Sequence, residues 1–414
     1  SLTLFALFLA TGLLTFSYAW LTLHRHHAVE LSTTAGPQQS HNEIEQWLRH
    51  GYFASHGLLV PTQQKVIYRS STGGYMISGF LAEKLWIGLT GKYSWRLLAL
   101  HNEVVALLTA TLLALLASRV AGRFGAEPLH AFALGVAAQA VQFTFPDNLA
   151  LYWEMTAQAY ALPAALAFLL LEERALDGRR TRLISALQAL SIFALTYFEY
   201  ICGTMFLAAY VITLLLLRDE RPPLKRLAAV LLVPWAAALA IYAIKLSAAR
   251  HELGAKLAGS SFLYRSGLDG DAALYGDHLD IAYGRDIVRA HRPGNHQYLF
   301  RWTWLFLAGA AAALATLAAY VRGRAPRIAV VALVALIGTY LLYAAVFSQA
   351  VAMHPYLYDA LLATPLILAL FAFVPALLES LTQRSGVFVL VALLGAIWLA
   401  MFQLRLYALC YPLI

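Results

Sequence analysis

The chain has 414 residues, of which 61% are hydrophobic and only 13% charged, with a mean hydropathy of +0.65 and a formal net charge of +8. A soluble core cannot absorb that much apolar surface, so the composition excludes an ordinary water-soluble enzyme and points to an integral membrane protein. The basic residues are dispersed over short connections with no recognition motif, which excludes a nucleic-acid partner.

Crossing about 30 Å of hydrocarbon takes roughly 20 apolar residues per helix. Such segments are predicted near 2–22, 99–118, 129–146, 156–172, 183–198, 201–217, 227–247, 302–321, 328–347, 357–378 and 386–407. The expected fold is all-α, a single polytopic domain over 1–414 with about eleven (10–12) transmembrane helices. Residues 2–22 carry no basic leader and no small-residue cleavage site before the polar loop, and are expected to be a retained helix. Cys202 and Cys410 lie in or beside apolar segments and suggest neither a disulfide framework nor a paired thiolate site.

After the first span comes a long polar loop, 24–98. In EIEQWLRHGYF, Ile44, Trp47 and Leu48 share one helical face while Glu43, Glu45, Gln46 and Arg49 point elsewhere, which predicts a helix lying in the membrane interface. Trp47, Tyr52 and Phe53 would anchor it at headgroup depth. GFLAEKLWIGL, at 79–89, predicts a second short amphipathic helix.

Orientation follows from the short connections, where Lys and Arg collect on the cytoplasmic side. Arg119, Arg123, Arg174, Arg179, Arg180, Arg182, Arg218, Arg221, Lys225, Arg226, Arg322, Arg324, Arg327 and Arg384 fall on alternate connections. The loops 24–98 and 248–301 are thereby expected on the outer side. Asp147 follows Pro146 and reads either as a site acid or as a turn or cap residue. Glu154, beside Tyr152 and Trp153, is either a second active-site acid or a structural hydrogen-bonding group. Glu199 in TYFEYICG marks an outer turn between two spans, facing a cavity. Lys245, near the outer end of its helix, reads as a snorkelling lysine. His24, His26 and His27 offer weak metal-ligand spacing, and DGDAALYGDHLD at 269–280 lacks the third oxygen ligand, the glycine and the final glutamate of a calcium loop, so no metal site is assigned. Tyrosines in 248–301 (Tyr264, Tyr275, Tyr283, Tyr298) offer rings on which a sugar could stack.

The layout of residues 41–125 resembles the GT-C type polytopic glycosyltransferases that use a polyprenyl-phosphate-linked sugar. The likeness rests on an outward first helix, an acidic loop whose short helix ends near His56-Gly57, YRSSTGGY at 68–75, and a long second helix ending AGRFG at 121–125. FPDNLALYWEMTAQAYALP at 145–163 is similar to a second acidic outer loop, and AMHPYLYDALLATPL at 352–366 to an aromatic-basic entry to a late helix. Relatives carry an Asp-Glu or similar acidic pair ahead of an aromatic residue. Alignment on Gly57 puts His41 and Asn42 there, whereas alignment on Trp47 puts Glu43 first and Ile44 second.

The resemblance implies inverting transfer from a polyprenyl-phosphate sugar donor to a hydroxyl of a glycan, lipid or protein acceptor. It implies a bacterial inner (plasma) membrane protein with the active site facing the periplasm. No cofactor is required, and a divalent cation has no support in the sequence. A carboxylate within hydrogen-bond reach of the acceptor hydroxyl would take its proton. Glu43, Glu45 and Glu154 are the candidates, with His41 a further one. His41, Asn42, Tyr68, Arg69, Asp147, Glu199, Arg292, His296, His354 and Tyr356 are candidate substrate-binding residues. The leaving phosphate needs fixed cations or donors, for which Lys65, Arg69, Arg250, Arg265, His291, Arg292, His296, Arg301 and His354 are available. A transporter or flippase of lipid-linked or polar solutes remains the alternative, expected to carry ionisable groups at mid-membrane depth. Another membrane transferase, such as an acyltransferase or glycan polymerase, is a third.

Overall fold

The computed structural model describes residues 2–27, 35–54, 57, 66–68, 73–144, 157–179, 181–217, 224–253, 256–258, 297–347 and 361–372. In chain order the helices are α1 (Leu2–His27), α2 (Ala35–His50), α3 (Ile77–Thr90), α4 (Trp95–Arg123), α5 (Pro128–Thr144), α6 (Ala157–Leu176), α7 (Arg182–Phe198), α8 (Tyr200–Leu216), α9 (Val233–Leu253), α10 (Gln297–Val321), α11 (Arg327–Val346) and α12 (Leu361–Ala372). A short turn, Leu224–Leu227, and a π-turn, Ala228–Leu232, lead directly into α9. Among the described residues, two three-residue strands accompany the helices. β1 (Val66–Tyr68) pairs in parallel with β2 (Lys256–Ala258), Tyr68 opposite Ala258.

Nine of the predicted spans coincide with helices to within a few residues; of 357–378 only 361–372 is described, as helix, and residues 386–407 lie outside the described residues. Among the described residues, three segments are long and apolar enough to cross a membrane: Leu100–Arg123, Leu224–Ala249 and Arg327–Val346. Others, such as Arg182–Phe198 and Tyr200–Leu216, are apolar but shorter. At 1.5 Å per residue a helix of that length rises about 25 Å, less than the roughly 30 Å hydrocarbon core. Large apolar side chains also stand exposed along the helices, including Leu14, Leu190, Leu216, Val233, Ile244 and Leu314, as lipid-facing surfaces do.

At the centre, α4 packs against α1, α3, α5 and α6, while α8 packs on α11, and α7 on α6 and α9. Small residues make these approaches close. Ala106, Ala110, Ala114, Ala117 and Ala121 of α4 are buried, as are Ala131, Ala137 and Ala138 of α5. A Cβ on Gly135 would stand 2.5 Å from the Phe8 ring of α1 and 2.7 Å from the Ala114 carbonyl of α4. Gln139 seals the same junction, donating to the Phe8 carbonyl at 2.8 Å and accepting from Thr11 at 3.0 Å.

Between α7 and α8 the chain turns on one extended residue, Glu199 (φ −146°, ψ 99°), whose carboxylate caps α8 by accepting from the Cys202 N–H. Gly203 lets the helices close on this turn, since a Cβ there would meet Thr196 at 2.6 Å.

Charged groups collect at one pole. Glu173 accepts from Arg119 at 2.7 Å and from Arg123 at 2.8 Å, and Arg123 also pairs with Asp177. Glu172 accepts from Gln188 at 2.6 Å and from Arg226 at 3.2 Å. Arg119 and His101 are separated along α4 by about 27 Å of rise, and Arg226, in the turn before α9, and Lys245 by about 28 Å, so both runs join the arginine pole to an opposite one at a distance close to the roughly 30 Å of a hydrocarbon core.

Gly135→Ala is expected to lower stability by about 1–3 kcal/mol through overpacking against backbone. Gly122→Ala is the contrast, because its Cβ would meet nothing within 4 Å; it should leave stability unchanged or raise it by up to about 1 kcal/mol. Thermal unfolding of the detergent-solubilised variants tests the pair.

Candidate functional site

The opposite pole is built around α2. The 16-residue α2 covers the predicted amphipathic segment. Its buried face is wider than the sequence pattern indicates. Ile44 and Trp47 are buried, and so is Glu43, which sits one turn before Trp47 on the same side. Glu45 is instead half-buried and pairs with Arg49. The two candidate bases therefore occupy different environments.

Trp47 does not anchor the helix in headgroups; it is enclosed by protein. Its ring meets Tyr52 edge-on at 5.0 Å and Phe80 of α3 at 5.9 Å, while Tyr52 stacks on Phe80 at 5.6 Å. Phe53 is exposed, as an anchor should be. The predicted second amphipathic helix is α3, which turns Phe80 and Glu83 inward and leaves Leu81, Leu85 and Leu89 exposed.

Three glycines of this pole have no room for a side chain. Gly57 (φ +60°) closes a turn by donating to the Tyr52 carbonyl at 2.9 Å, and a Cβ there would stand 2.3 Å from the Tyr52 ring. Gly73 (φ +68°) lies against the Gly57 carbonyl, 2.3 Å from where its Cβ would be, and Gly74 lies as close to the Tyr197 carbonyl. The GGY end of YRSSTGGY is thus threaded between α2, its following turn and the end of α7. Tyr75 then packs 5.8 Å from Tyr160.

Tyr160 leads to a polar cluster that the sequence reading missed. Its hydroxyl donates to Asn102 at 2.6 Å and lies 3.1 Å from His101 Nδ1, with the His101 ring stacked on it at 5.7 Å. Phe198 closes the far side at 6.3 Å, next to Glu199. The available signal was HNE at 101–103, a polar run at the start of an apolar helix.

Lys245 also differs from its sequence reading. Rather than extending to the interface, its ammonium donates to the Gly57 carbonyl and to the Tyr197 hydroxyl, each at 3.1 Å. It lies over the rings of Tyr197 and Tyr52 at 5.2 and 5.8 Å. Burial, then the hydrogen bond to Tyr197, raises the Tyr52 hydroxyl above its ordinary pKa.

Glu83 was likewise missed. It is fully buried and accepts from the Ser94 N–H at 3.2 Å. Burial raises its pKa, with the Ser94 bond opposing. Burial, then the nearby Glu83 and Glu45 carboxylates, raises the Tyr93 hydroxyl above its ordinary pKa.

Of the other predicted residues, Glu199 stands at the expected turn and caps α8. His41 and Asn42 lie on α2 and Tyr68 on β1, but their side chains are outside the described residues, as are Arg69, Asp147, Glu154, Arg292, His296, His354 and Tyr356. His24, His26 and His27 lie on α1 with their side chains outside the described residues, and the loop at 269–280 falls outside altogether. Among the described residues, no group of three or more His, Cys, Asp or Glu side chains could hold a metal ion. No protein-family model matches the chain, and comparison with curated proteins and solved structures returns no match.

A raised carboxylate keeps its proton in the folded state over a range where the unfolded chain has lost it, so its contribution is present at low pH and is lost as pH rises through the folded pKa. Glu83→Gln should therefore be at least as stable as wild type at pH 8, with the gap closing toward pH 4. Unfolding temperatures measured across that range (pH 4–8, roughly the span over which a raised carboxyl titrates) provide the check.

Proposed function

We propose that this chain is an integral membrane glycosyltransferase of GT-C-like architecture with about eleven spans, the pole of α2 facing the outside. In this reading a polyprenyl-phosphate sugar enters from the bilayer, and the sugar passes with inversion to an acceptor hydroxyl. Glu43 takes the acceptor proton while the departing phosphate is stabilised by cations of the outer loops. The localisation that goes with it is a bacterial inner membrane.

The observation that carries the reading is the burial of Glu43. A loop carboxylate with only a solvated role would face water; this one is turned in beside Trp47. A general base must be held within hydrogen-bond reach of the hydroxyl it deprotonates, and a carboxylate enclosed by protein is held more firmly than one on a solvated face. Glu45, half-buried and already paired with Arg49, is the less suited candidate. Against the transporter alternative, the junction of α1, α4 and α5 is joined, among the described residues, by the neutral groups Gln139, Thr11 and Thr111, whereas ion or proton coupling requires ionisable ones at that depth.

Sugar transfer by the purified protein, tried with a panel of polyprenyl-phosphate sugars, tests the proposal. Glu43→Gln should lower turnover by about 10²–10⁴-fold, the usual worth of a general base, with carrier binding and unfolding temperature retained. Glu45→Gln should stay near wild type. Turnover with no donor, alongside movement of a lipid-linked solute across vesicles, would put the transporter first. Equal activity in all three proteins would move the base elsewhere.

A further inference from the structure

We propose that Lys245 is a positioning residue that clamps the turn after α2 to the end of α9, so that residues 47–57 and 66–68 are held to α9 and to 256–258 as one mechanical unit. Two attachments join the same pair of chain stretches. One is Lys245 to the Gly57 carbonyl; the other is the pairing of Val66–Tyr68 with Lys256–Ala258, which begins three residues after α9 ends.

A snorkelling lysine would run its stem past apolar surface and leave its ammonium in water. Lys245 instead spends its ammonium on a main-chain carbonyl, a tyrosine hydroxyl and two aromatic faces, the partners that offset desolvation of a cation. The carbonyl it holds is the one against which Gly73 is threaded, and the ring beneath it, Tyr52, packs on Trp47. From Lys245 the contacts thus run through Gly57 and Tyr52 to Trp47 and so to the helical face that carries Glu43. Any consequence for transfer rests on the transferase reading; the clamp does not.

Hydrogen exchange of the full chain in lipid nanodiscs tests it. In Lys245→Met, which keeps the stem but loses charge and donors, amides of residues 47–57 and 66–68 should exchange about tenfold faster or more, as loss of hydrogen bonds to a charged group implies. Amides along the middle of α4 should be unaffected. Lys245→Arg, retaining charge and donors, should recover most of the protection. Tyr197→Phe should have a smaller effect and add little in a Lys245→Met background, since both act on one network. Unchanged exchange at 47–57 in Lys245→Met overturns the clamp. So does acceleration spread equally through α4, or a loss that Arg fails to recover, because the effect would then belong to packing. Exchange and sugar transfer are separate readouts, so either proposal can fail alone.

Discussion

The close approach of backbones at α4 is the constraint on which the other placements depend. Between helices embedded in an apolar medium there is little hydrophobic drive, so attraction comes from dispersion and from the few polar groups that meet. Dispersion falls off steeply with distance, and only small residues allow the approach it needs. Phe8 occupies the space that a side chain at Gly135 would fill, against the Ala114 carbonyl. Gln139 then ties α1 to the same junction through a main-chain carbonyl. With α1 and α5 set in this way, α4 presents its two ends in fixed positions, Arg119 and Arg123 at one and His101 and Asn102 at the other.

Charge is partitioned between those ends in a way that serves different purposes. At the arginine pole, Glu172 and Glu173 are nearly enclosed and take up guanidinium groups from α4 and from the turn that leads into α9. Buried pairs of this kind add little net stability over apolar packing, but breaking one is costly because a charge is left unpaired. They set the relative register of α4, α6 and α9 more than they add to stability. At the opposite pole, glycines, aromatic rings and single polar groups predominate, and the main chain itself supplies a partner to Lys245.

Much of the outline was legible because it depends on local pattern. The apolar segments between 2 and 347 coincide with helices, and EIEQWLRH forms one. The candidate site was less legible. Glu43 was placed on the polar side of α2 because its immediate neighbours are polar, yet the buried stripe is wide enough to include the residue one turn before Trp47. Glu83 reads as an exposed acid in GFLAEKLWIGL if the apolar face is taken as the inner one. In α3 the leucines face outward and the carboxylate faces the Ser94 amide. The side of an amphipathic helix that counts as inside depends on its surroundings, which periodicity does not contain.

By itself, the sequence determined the helical class, the segments that become helices, the turn at Glu199 and the grouping of arginines on alternate connections. These follow from hydrogen bonding within a segment and from hydropathy over about 20 residues. The tertiary structure alone decided that Glu43 is enclosed while Glu45 pairs with Arg49, that Gly73 and Gly74 thread between Gly57 and Tyr197, and that Lys245 reaches back to a carbonyl 188 residues away. Each of those depends on contacts between segments distant in the chain, where the partner and not the local pattern sets which way a side chain turns.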